Sequence, residues 1–167
     1  MPLSMYETSI TVLIHGLGAL SAILQRAATH AEAKKIDPAV FVAARLAPDM
    51  FPLSRQVQIA CDTAKGCAAR LADIEIPSYA DTEATIPELE ARIAKTVAFL
   101  RSVDAARLEG SEERVVILKL RGQETRFSGR TYLLGFVLPN FYFHVTAAYA
   151  ILRHNGVDLG KMDYLGL

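Results

Sequence analysis

"TYLLGFVLPNFYFHVTAAYAILRHNG", from Thr131 to Gly156, is the stretch on which the fold turns. Between Arg130 and Arg153 no side chain carries a fixed charge. Leu133, Val137, Asn140, His144, Ala147, Ile151 and His154 recur at alternating steps of three and four, which places them on one stripe of an α-helix. A run of this length could also span a bilayer. Asn140 and His144 near its middle, with Pro139 beside them, argue instead for the most buried helix of a soluble helical protein, apolar all round because it is surrounded. The run ends at Asn155–Gly156, where glycine suits a left-handed C-cap. Pro139 removes an amide donor and frees the carbonyl of Gly135, which predicts a kink there.

Upstream, three amphipathic segments supply the partners. In "LSMYE", Ser4 and Glu7 have the spacing of a capping box, and Ile10, Leu13, Leu17, Leu20, Leu24 and Ala27 form the stripe that follows. Gly16 and Gly18 weaken this helix but let a neighbour come close. After the proline-marked turn in "AEAKKIDPAV", Pro48 and Pro52 precede a second helix. Its stripe is Leu53, Val57, Ala60, Ala64, Cys67 and Leu71. "ADIEIPSYADTEA" reads as a polar linker. Thr85 and Glu88 then cap a third helix, with Leu89, Ile93, Thr96, Leu100 and Val103 along its seam.

Beyond "DAARLEGSEE" the period changes to two. "RVVILKL", a turn at Arg121–Gly122–Gln123 and "ETRF" predict a β-hairpin, too small to stand without the helices. The tail "VDLGKMDYLGL" reads as irregular chain laid over them. The expected architecture is all-α: a four-helix bundle with a small β-hairpin between helices 3 and 4, in one domain over residues 1–167.

The 167 residues suit one core, and half of them are apolar. Lysine plus arginine equals aspartate plus glutamate, 18 of each, so there is no electrostatic footprint for nucleic acid or anionic lipid. A neutral surface permits self-association. Phe136, Phe141, Phe143, Tyr142 and Tyr149 lie off the inward stripe, which predicts a homodimer through the last helix. Cys61 and Cys67, six apart on one helix, face different ways and read as reduced core residues. "MPLSMYETSI" has no basic n-region and no small-residue cleavage site, so a cytoplasmic location is expected.

Asn140 and His144 are the candidate site. Four apart, their side chains are neighbours on one face. Three readings stand: a metal centre, a pocket for a small ligand, and a core histidine satisfied by Gln56, Asn140 or a backbone carbonyl. For a metal, the best further donor is Gln56, at the edge of the second helix's stripe, ahead of Asp49 and Asp62. One histidine is a poor zinc site where three or four protein ligands are usual, and a carboxamide is a weak ligand for zinc, iron or nickel. The expectation is no cofactor, with a divalent transition metal as the alternative. His15 lies off the first helix's stripe, His30 sits in a charged helix end, and His154 is more than two turns beyond His144, too far to share one ion. No GxSxG, GxGxxG or P-loop occurs.

"MPLSMYE", "ARLAPDMFPLSRQVQIACDTAKG" and "LPNFYFHVTAAYAILRHNGVDLGKMDYLG" resemble a bacterial family of unknown function within the DinB/YfiT-like superfamily. The resemblance spans nearly the whole chain. It implies a four-helix bundle of up-down-down-up topology, often dimeric. Relatives include metal-dependent hydrolases and thiol transferases with three histidines, one on the second helix and an HxxxH pair on the last. His144 matches the second histidine of that pair, Asn140 stands where the first should be, and Gln56 falls nearest the position on the second helix. Two functional classes follow. One is a non-catalytic or small-ligand-binding protein with a degenerate metal site. The other is a metal-dependent hydrolase or thiol transferase using His144 with Asn140 and Gln56.

Overall fold

The computed structural model describes residues 3–167. Met1 and Pro2, the first two residues of the "MPLSMYE" stretch, lie outside the described residues. The chain is mostly helical, with one small two-stranded antiparallel sheet. Its long helices are α1 (Glu7–Lys34), α3 (Leu53–Ala72), α4 (Ile86–Ser102) and α5 (Gly129–His154), with a short α2 (Ala39–Ala43) and α6 (Lys161–Leu165). α3 packs between α4 and α5, and α1 contacts the same two helices from the other side. One hydrophobic core runs through all four.

The helix ends follow the expected chemistry. Glu7 N donates to Ser4 Oγ and Ser4 N to Glu7 Oε2, both at 3.1 Å. Glu88 N donates to Thr85 Oγ1 at 3.3 Å and Thr85 N to Glu88 Oε2 at 3.0 Å, the reciprocal pair that satisfies two orphan amides at the start of α4. Gly156 takes φ 91° beyond α5.

Several expectations need correction. Phe141 is completely buried, not peripheral. Its ring lies against α1 at Gly16, where a Cβ would sit 2.5 Å from Phe141 Cε1. The glycine thus allows the close approach its sequence suggested, but to an aromatic ring that the stripe had excluded. Pro139 does not interrupt α5. A five-residue π turn, Leu133–Val137, stands just before it, a second local feature besides the proline that can bend a helix. The hairpin pairs β1 (Val115–Leu120) with β2 (Gln123–Ser128), so Gln123 belongs to a strand. The loop is Arg121–Gly122 alone, with φ 48° and 82°, both positive as a tight hairpin turn of this hand requires. The segment after Asp37, expected as a plain turn, forms α2, and the tail, expected as irregular throughout, forms the short α6 over Lys161–Leu165. Asp163 caps α6 by accepting from Gly160 N at 2.7 Å and holds Arg26 of α1 at 2.8 Å.

Glu7–Lys34 and Gly129–His154 are both long and apolar enough to cross a membrane. In the fold each turns a face into the shared core, which is also what a core helix of a soluble protein does.

Candidate functional site

Where α3 and α5 meet, residue numbers rise on one helix as they fall on the other. Gln56 lies opposite His144, and Thr63 opposite Asn140. Gln56 is one turn into α3 and 1% exposed, a core position and not the edge position its spacing suggested. Its Nε2 donates to the carbonyl of Phe51 at 3.0 Å, in the turn before the helix. That bond fixes the amide with Oε1 toward α5, where His144 Nδ1 stands 2.7 Å away. Because Oε1 can only accept, the proton sits on Nδ1, and Nε2 carries the imidazole lone pair.

His144 is 7% exposed, with the Phe143 ring edge-on at 5.2 Å. Burial and the nearby Arg55 guanidinium both hold its pKa below the ordinary 6.5, so it is neutral at physiological pH. A neutral imidazole with one free lone pair can accept a proton or a hydrogen bond.

Asn140 does not join this pair. Its Nδ2 donates to Thr63 Oγ1 at 2.9 Å, a turn further along the interface. The structure therefore brings His144 and Gln56 together and leaves Asn140 in a separate contact. Asp49 is exposed and outside the site, and Asp62 is engaged by Lys65 and Arg92. Among the described residues no group of three or more His, Cys, Asp or Glu side chains converges. Burial pushes the Cys61 and Cys67 thiols up to about 12, which keeps both protonated. One histidine nitrogen, with the Gln56 oxygen already bonded, does not fit a transition-metal centre.

A second polar cluster went unread in the sequence. The Arg92 side chain on α4 is 1% exposed and pairs with Asp62 at 2.8 Å, Asp81 at 2.9 Å and Glu83 at 3.0 Å. It also donates to the carbonyl of Ala80 at 3.1 Å. These bonds strap the 73–85 connection onto α3 and α4. Tyr79 of the same strap receives Lys65 Nζ at 3.9 Å and Lys95 Nζ at 4.1 Å from its ring centroid. Two signals were available: Arg92 falls beside Leu89 and Ile93 on the buried face of α4, and Asp81 and Glu83 in the linker supply the matching charge.

A search of curated proteins finds no match. Among solved structures, the chain is similar to a crystal structure of a DinB family member protein from Shewanella denitrificans. The two share 41% identity and a TM-score of 0.92, over 98% of this chain and 92% of that one. Residues 5–165 match the domain of unknown function DUF1993. With nearly its full length inside that match, the chain belongs to the DUF1993 family, a DinB-like family of unknown function.

Proposed function

We propose that the chain is a non-catalytic protein that binds a small ligand, built as a DinB-like four-helix bundle with a degenerate metal site at His144, Asn140 and Gln56. The observation that carries this reading is the bonding of the three side chains. Gln56 spends its oxygen on His144 and Asn140 turns to Thr63, so His144 Nε2 is the one nitrogen donor left at the site to meet a ligand. The opposed run of α3 and α5 supports the up-down-down-up arrangement of a single domain over residues 1–167. Two reduced cysteines support a cytoplasmic location.

The exposed face of α5 supports a homodimer. Phe143 is 57% exposed and shares an apolar surface with Leu46, Met50 and Tyr142, and its ring stands edge-on to that of His144. A second copy would cover it. Phe143→Asp is expected to elute as a monomer in light-scattering chromatography where the parent protein is a dimer. A monomeric parent, or a variant that dimerises equally well, refutes the interface.

The site itself is tested by loading the protein with zinc, nickel, manganese or iron(II), desalting it, and measuring bound metal by plasma mass spectrometry. Metal at background, equal in the parent and in His144→Ala, is the expected result. Stoichiometric metal kept by the parent and lost in His144→Ala would overturn the reading. It would favour the metal-dependent hydrolase or thiol transferase instead, with Gln56 and Asn140 the next positions to vary.

A further inference from the structure

Arg70, one turn beyond Gly66 on α3, is a half-buried cation without a counter-charge. Its Nη1 donates to Tyr132 Oη at 3.1 Å, and its guanidinium carbon lies 6.0 Å from the centre of that ring. Among the described residues no carboxylate comes within ion-pair distance of it. Lys65 and Arg92, the buried cations close by, both hold Asp62. Gly66 is what seats Arg70: a Cβ there would stand 2.5 Å from Nη1. The guanidinium thus lies close over the helix at Gly66, half-buried, and its N–H groups beyond the Tyr132 bond are free to meet an acceptor.

A groove of about 440 Å³ opens beside it, between α3, β1 and α5. That is within the usual size range of small-molecule sites. Ile117, Leu120 and Phe136 give it apolar walls. Lys119 adds a second positive charge from the hairpin, and Thr63 with Asn140 closes one end with polar groups. Asp62 also borders the groove, but its carboxylate is neutralised by Lys65 and Arg92.

We propose that this groove binds a small organic carboxylate with an apolar body. Arg70 takes the carboxylate through paired, charge-assisted hydrogen bonds, and the hairpin wall and Phe136 cover the apolar part. The site is distinct from the His144–Gln56 pair, neither of which lines the groove. It is a second ligand site, with a chemical class of its own, and does not rest on His144.

Benzoate and hexanoate serve as probes, with benzamide and hexanamide as neutral counterparts, read by two-dimensional amide NMR of the full chain. The carboxylates are expected to shift amides of β1 and of α3 around Gly66, and the amides to bind at least about tenfold more weakly. Arg70→Gln should lose at least about tenfold in carboxylate affinity, and Lys119→Gln about threefold. Arg101→Gln, exposed on α4, should bind as the parent does. Lys119 is also exposed, so its variant reads the charge dependence if Arg70→Gln folds poorly. His144→Ala should keep carboxylate binding, which separates this site from the one above. Equal binding of acids and amides, unchanged affinity in both groove variants, or no binding up to ~10 mM would each overturn the proposal.

Discussion

Two buried polar clusters flank α3, and they solve the same problem in opposite ways. Against α5, the His144–Gln56 pair is neutral and is held by one hydrogen bond between side chains. Against α4, Arg92 is charged and is held by three carboxylates and a backbone carbonyl. The first leaves the Nε2 nitrogen of His144 without a protein partner. The second spends every strong partner on fixing a strap. Neither cluster is fully satisfied, for Arg92 Nε is buried without a partner, but the Arg92 network ties three segments together while the His144–Gln56 bond joins two helices.

The largest effect should come from the architectural cluster. Removing the guanidinium in Arg92→Met leaves Asp62, Asp81 and Glu83 facing one another, and losing one partner of a buried ion network costs about 3–5 kcal/mol. Asp62 and Asp81 keep over a third of their side-chain surface in water, so the low end, about 3 kcal/mol, is expected. Urea unfolding would read the loss, and amide exchange should rise across residues 73–85. A loss under about 1 kcal/mol, with the strap still protected, would place the Arg92 cluster among ordinary surface salt bridges.

His144→Ala should cost less, about 1–3 kcal/mol, because one hydrogen bond and some packing are lost and Gln56 Oε1 is left unpaired. Gln56→Ala measured alone and with His144→Ala tests the pairing: the double variant should lose less than the sum of the singles. A neutral or stabilising His144→Ala would sharpen the contrast, since it would mark a residue kept at the expense of stability.

The contrast also explains what was legible from the chain alone. The four long helices and the hairpin were readable because their signals are local: Ser4 with Glu7, Thr85 with Glu88, and the period-two run before Arg121. Gln56 as partner of His144 was readable from the two stripes and the resemblance together. Thr63 was not, because pairing it with Asn140 requires the stagger between α3 and α5, which no single helix encodes. Phe141 was misjudged because Asn140 was taken as the inward position, although Phe141 is itself four from Val137 and three from His144, and because Gly16 on another helix makes its room. The Arg92 cluster joins residues from α3, the linker and α4, and linear periodicity cannot add such parts together.

The smallest effect, and the one that tests both clusters in a single experiment, is the acid limb of stability. His144 has its pKa held below 6.5 in the folded protein, so the unfolded chain takes up that proton first. Its contribution is complete above about 6.5, declines as the pH falls below that value, and levels off below the folded pKa. Asp81 and Glu83 titrate lower. Burial alone would raise both. Bonds from Arg55 and Arg92 to Asp81, and from Arg92 and Gln58 to Glu83, outweigh it and hold them below their ordinary 3.8 and 4.5. Their contribution is complete above those values and fails as the pH drops through the folded ones. Stability against pH should therefore fall in two stages. His144→Ala should remove the upper stage and keep the lower, and Arg92→Met should do the reverse. If both variants instead lose the same stage, the clusters are coupled through α3, and an independent neutral pair opposite a charged strap is the wrong division of the molecule.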